Sequence, residues 1–343
     1  MTQVILIGVG AGATAALLFG SVASGNGFSL ILFSLASLPI MIAALGWSHW
    51  AGLTAAVAAA AMLGGAFGIL FFATFLASVG VPAWWLGYLA LLGRPVVNGG
   101  APHMEWYPPG RLVLWAAIVG AVLTAGTLMT FGSDEATIRH GLKDAIDQIL
   151  RPQTGPRADA PPQAPAVPVP GTQVQGAQVA NAGDTDPMID LQVQVLVRVL
   201  PLAAAVISAV TLMGNLWLAG LVVRLSGRLR RPWPDLSTLS FPSLTAAWYG
   251  ALLAGAFLPD LAGLVSSVFA ATLTIAFAAV GFAVLHTATR DMRGRAVVLS
   301  GAYGCVVLLI WPVLVMTLVG VAETLFDLRA RHSRRGPPAS RNT

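Results

Sequence analysis

Three polar side chains stand within or at the edge of long apolar runs of this 343-residue chain: Asn215, His286 and Glu323. Each could bind a solute, and the two ionisable ones could pass a proton, because a polar group among apolar residues must find a partner. His286 ends the run in GFAVLHTATRDMRGR, where Arg290, Asp291, Arg293 and Arg295 read most simply as the turn that leaves a helix. Glu323 and Asp327 in GVAETLFDLRAR are four residues apart and share one helix face, with Arg329 close behind. They form either a salt-bridged helix end that anchors the tail or a pair between Glu323 and an arginine of another span, for which Arg198 is the candidate. Asn215 in TLMGNLWLAG reads as interhelical glue ahead of ligand contact.

No richer chemistry is spelled out. The chain has no GxxxxGK[ST] phosphate loop, no HExxH, no paired Cys-x-x-Cys and no Gly-x-Ser-x-Gly elbow. Its single cysteine, Cys305, excludes an intrachain disulfide and a cysteine-based metal site. We therefore expect no catalytic residue, no metal, no cofactor and no enzyme activity. Any work the protein does draws its energy from another component.

The elements that must position these residues belong to a membrane. Hydrophobic residues make up 56% of the chain and charged ones 10%, with a mean hydropathy of +0.77, against roughly 25% charged residues in an ordinary soluble domain. From Met1 to Gly93 there is no Asp, Glu, Lys or Arg, so lipid must be the solvent there. The N-terminal MTQVILIGVG lacks a basic leader region and is expected to be a first, retained span. Nineteen basic side chains, all arginine except Lys143, fall between or beyond the apolar runs and read as topology determinants, with no nucleic-acid partner.

Runs long enough to span are 3–23, 28–47, 112–132, 196–223, 261–285 and 296–322. Residues 51–93 are too long for one span, with breaks expected at Gly64–Gly65 and in the VGVP of 79–82, and 243–258 is short. The expected fold is an all-α bundle of eight or nine spans. It divides into an N-terminal membrane half (1–132), an amphipathic surface helix (133–151), a Pro/Ala-rich disordered linker (152–187), a C-terminal membrane half (188–328) and a basic tail (329–343). Ile138, Leu142, Ile146, Ile149 and Leu150 give the surface helix an apolar face suited to lie on the bilayer. With nine spans the positive-inside rule ties, because the tail arginines fall opposite Arg290, Arg293 and Arg295; eight spans ease the conflict. WSHW, PAWWLGY, EWYPPGRLVLW and RPWPDL border the runs as interfacial belts. Gly8, Gly12 and Ala16 line up small residues for close helix packing.

The stretches VPAWWLGYLAL, EWYPPGRLVLW, VGFAVLHTATR and YGCVVLLIWPVLVMTLVGVAETLFDLRAR resemble the YybS-like family of multi-pass bacterial membrane proteins, a domain of unknown function. That family is similar, more distantly, to the substrate-binding subunits of energy-coupling-factor vitamin transporters. The resemblance implies a helical bundle in the bacterial inner membrane that binds a small molecule and docks on a separate energising protein. It would give Gly8, Gly12 and Ala16 the docking role. The competing expectation is a membrane scaffold or envelope-assembly factor with no small-molecule substrate, using the surface helix and basic tail as contacts to protein or anionic lipid.

Overall fold

The computed structural model describes residues 1–97, 103–132, 134–150, 187–329 and 331. Residues 152–186 of the expected linker, and all of the tail except Arg329 and Arg331, lie outside the described residues. Thirteen helices appear among those described: α1 (Thr2–Gly20), α2 (Gly27–Ser34), α3 (Leu38–Gly46), α4 (His49–Phe67), α5 (Ile69–Phe75), α6 (Val81–Ala90), α7 (Pro109–Met129), α8 (Glu135–Leu150), α9 (Pro187–Leu225), α10 (Leu244–Gly255), α11 (Asp260–Ala288), α12 (Arg295–Leu309) and α13 (Pro312–Phe326). The all-α expectation needs one amendment, a short antiparallel hairpin of β1 (Gly93–Val96) and β2 (His103–Trp106). Arg94 and Glu105 face each other across it and form an exposed ion pair at 2.7 Å.

Among the described residues seven helical stretches are long and apolar enough to cross a membrane: Thr2–Ser24, Gly27–Gly46, His49–Phe67, Ile69–Ala90, Pro109–Met129, Val195–Leu225 and Asp260–Ala288. Backbone chemistry sets where they break. The run 51–93 divides at Gly68, whose φ of +96° suits glycine, rather than at Gly64–Gly65. The VGVP stretch does not end a helix. Its Val79 and Gly80 belong to a π-helical turn, Leu76–Gly80, which feeds directly into α6.

The run 296–322, read as one span, is two short helices. Pro312 has no amide hydrogen to donate to the Leu308 carbonyl, and the chain turns at Ile310, which stands at φ +60°. The run 196–223, read as one span, is the C-terminal part of a longer helix, α9. It starts at Pro187 and runs 39 residues, about 58 Å, so its first turns project beyond an apolar layer of about 30 Å.

Packing within the chain changes the reading of α8. Ile138, Leu142 and Ile146 are buried, Leu142 and Ile146 beside Val197 of α9, and Ile138 in a cluster with Leu128 of α7, Ala205 of α9 and Val268 of α11. These three apolar side chains of α8 are thus covered by its own chain.

Small residues set the closest helix contacts. Gly8 and Gly12 of α1 face α4, where a Cβ on either would overlap Thr54 or the Ala55 carbonyl, and Ala16 is buried in the same cluster. Within the chain, then, α4 already occupies this stripe. Between α11 and α13 the approach is backbone to backbone, since a Cβ on Gly281 would overlap the Met316 carbonyl and one on Gly320 the Phe277 carbonyl. Leucine at Gly281 should therefore destabilise the bundle by about 1–3 kcal/mol, read as a lower melting temperature in detergent. Leucine at Gly301 of α12, where a Cβ meets open space, should leave the melting temperature unchanged.

Candidate functional site

Of the side chains singled out by type, Glu323 has the most complete set of partners. Its Oε1 accepts from Arg329 Nε at 2.6 Å and its Oε2 from the Arg329 backbone amide at 3.1 Å. The remaining guanidinium nitrogens of Arg329 donate to the carbonyls of Ser237 and Leu239, the latter at 2.7 Å. Asp327 allows this closure by taking a left-handed conformation, φ 47° and ψ 53°, just after α13, and its own side chain stays exposed. Glu323 therefore pairs with the arginine six residues on, not with one from another span, and Arg198 is exposed without an ion pair among the described residues. Glu323 is buried and Arg329 half-buried, and the pair fastens the end of α13 to the 236–239 segment.

His286 makes one contact of note. Its Nε2 lies 2.9 Å from the hydroxyl of Tyr303, whose ring also stacks on Phe282 at 4.9 Å. Because α12 has no buried residue, these contacts are what hold it beside α11.

Asn215 occupies a different setting. It is 3% exposed, and its Nδ2 donates to the Ser34 carbonyl and to Ser37 Oγ, both at 2.7 Å. The need for it arises in the sequence LASLP. Pro39 cannot donate to Leu35, so the Leu38 amide bonds the Leu35 carbonyl instead, and the helix breaks between α2 and α3. That leaves the Ser34 carbonyl without its helical donor deep in the bundle, where an unpaired group is costly. Asn215 supplies the missing donor.

Beside this contact opens a cleft of 680 Å³ between α2, the π-helical turn, α7 and α9. Its walls are mainly apolar but carry hydroxyls from Ser34, Ser37, Ser78, Thr124, Thr127, Ser208 and Thr211. Ser34, Ser78, Thr124 and Thr127 bond carbonyls of their own helices, whereas Ser208 and Thr211 make no hydrogen bond among the described residues. Pro201 also lines the cleft and leaves the Val197 carbonyl without a helical donor. A volume in the 300–1,000 Å³ range, apolar walls and a few free polar groups are what a small-molecule site presents. The sequence held a usable signal for it: Ser208, Thr211 and Asn215 recur at helical spacing and mark one polar stripe along α9.

The aromatic clusters gather at one end of the bundle. Trp85 meets Tyr88 and Trp115, Tyr88 meets His49, and Trp115 Nε1 donates to Tyr107 Oη at 3.1 Å. The same end carries Arg228 over Trp47, Arg224 over Trp233, Arg231 bonded to the Ala90 carbonyl, and Arg290 bonded to Asp235 and Ser237. Hydrogen bonds from Ser237 hold the Asp235 carboxyl below the usual carboxylate range, with Arg290 adding to the effect. Arg329 and Thr287 both donate to the Ser237 carbonyl, so α11 and α13 finish together at this end. Among the described residues no group of His, Cys, Asp and Glu could hold a metal ion. Comparison of the chain with models of known families, with curated proteins and with solved structures finds no match.

Two substitutions check these roles. Glu323→Ala takes the carboxylate from a half-buried guanidinium that keeps its two carbonyl contacts and should destabilise by about 2 kcal/mol, while Asp327→Asn, which tolerates the left-handed backbone, should stay within about 0.5 kcal/mol; both are read from unfolding in mixed detergent. In the same assay Asn215→Leu should cost about 1–2 kcal/mol for two interhelical hydrogen bonds.

Proposed function

We propose that this multi-pass membrane protein binds a small solute as a transport-related subunit that depends on a separate energising component. The observation that carries the reading is the 680 Å³ cleft with the free hydroxyls of Ser208 and Thr211 on its wall and Asn215 beside it. Such walls suit an uncharged or weakly polar molecule, since among the described residues no Asp, Glu, Lys or Arg lines the cleft. The absence of a phosphate-binding loop supports an external energy source. In this reading Asn215 shapes the site, whereas Glu323 and His286 serve the packing of α13 and α12. The resemblance to the YybS-like family belongs to the same proposal.

The membrane placement follows from charge. Among the described residues Arg94, Arg111, Arg224, Arg228, Arg230, Arg231, Arg290, Arg293, Arg295, Arg329 and Arg331 gather at one end, against Arg139, Lys143 and Arg198 at the other. The positive-inside rule puts the arginine-rich end in the cytoplasm of a bacterial inner membrane. We count eight crossings, the seven long stretches plus α10, with α12 and α13 dipping in and returning to the same side. The tie that nine spans produce disappears, because the tail begins beside Arg290.

Purification in mild detergent followed by mass spectrometry of extracted small molecules checks the reading. The wild-type protein should retain a defined metabolite, and Ser208→Leu or Thr211→Leu, which fill the cleft, should reduce its recovery about tenfold or more without lowering the melting temperature. An empty wild-type cleft with envelope-assembly proteins co-purifying would replace this reading with the scaffold.

A further inference from the structure

A second cavity, of 130 Å³, lies at the arginine-rich end, where α3, α7 and α9 meet the segment 229–236. Leu45, Leu112, Met213, Leu216 and Trp217 make its walls apolar, and Arg231 is the one charged side chain on its lining. Arg231 is only 9% exposed. It has five N–H donors, yet its hydrogen bonding among the described residues is a single long contact, Nη1 to the Ala90 carbonyl at 3.3 Å. Among those residues no carboxylate lies within ion-pair distance of it. Burial has pulled the affinity of this guanidinium for its proton below that of a solvated arginine, but an arginine does not give its proton up. A buried cation without a counter-charge is expensive.

Among the described residues the chain supplies no such partner, and the chemistry of one that would fit is constrained. It needs an anionic group for Arg231 and an apolar part for the walls. It must reach the cavity at the membrane interface, where the exposed Trp217 lies on the lining. Arg224, held over the Trp233 ring at 4.9 Å, adds a second cation, with Trp233 itself on the lining. Anionic lipids supply that combination, and basic pockets between helices on the cytoplasmic side are where their headgroups bind. We propose that this cavity is a binding site for one anionic phospholipid, with its phosphate on Arg231 and the start of its acyl chain against Leu112, Met213 and Trp217. The site is separate from the hydroxyl-lined cleft, and it shares with the proposed function only the assignment of this end to the cytoplasmic side.

Native mass spectrometry of the detergent-purified full chain, titrated with phosphatidylglycerol, phosphatidylcholine or inorganic phosphate, tests it. Wild type should retain one phosphatidylglycerol in preference to phosphatidylcholine. Arg231→Gln should weaken that retention about ten- to hundredfold, the worth of a charge-assisted contact, while the exposed neighbour variant Arg230→Gln should not change it. Gly220→Leu keeps the arginine but fills the cavity from its lining, and it should lose the lipid equally, which covers the case that Arg231→Gln fails to fold. Equal retention of both lipids, undiminished retention in Arg231→Gln or Gly220→Leu, or competition by inorganic phosphate at the concentration of the lipid would each overturn the proposal.

Discussion

Backbone groups in hydrocarbon have no water to bond, so each break in a helix must be repaired by something else in the protein. This chain breaks its helices often. Pro39 separates α2 from α3, Gly68 separates α4 from α5, Pro201 interrupts the ladder of α9, and Pro312 separates α12 from α13. The Asn215 contact is the clearest repair, a side-chain amide 181 positions along the chain that supplies the donor the Ser34 carbonyl lost. The 680 Å³ cleft opens beside that repair and beside Pro201. Breaks in regular structure and room for a ligand thus have a common origin.

Charge follows a complementary logic. At the arginine-rich end most cations are satisfied by aromatic faces, carbonyls or the few acids there: Arg228 by Trp47, Arg290 by Asp235, Arg329 by Glu323 and two carbonyls. The Glu323–Arg329 closure brings the end of α13 to the same carbonyl that Thr287 of α11 uses. Glycines at 281 and 320 let those two helices touch at the backbone. Arg231 stands apart because it is buried with one long carbonyl contact and no carboxylate beside it among the described residues.

Glycine and alanine contribute as much as the polar groups. Hydrophobic burial cannot drive helices together in lipid, so close approach and dispersion must. Gly8, Gly12 and Ala16 against the alanines of α4, and Gly281 and Gly320 against carbonyls, are places where a larger side chain would hold the helices apart.

The membrane character, the helical class and most of the long apolar helices were legible in the sequence, because an uncharged run of about 20 residues has few other stable forms. The polar candidates were legible as residues that must find partners, and so was the prospect that Glu323 closes a salt-bridged helix end. Which partners they find was not legible, since Asn215 meets Ser34 and Ser37 only after α3 and α9 have packed. Composition placed α8 on the bilayer, and only the packing of α7, α9 and α11 showed that Leu128, Val197, Ala205 and Val268 cover Ile138, Leu142 and Ile146. Arg231 looked like one more arginine in a basic loop. Its burial beside an apolar cavity came from the meeting of α3, α7 and α9 with that loop, an arrangement of segments far apart in the chain that no local pattern encodes.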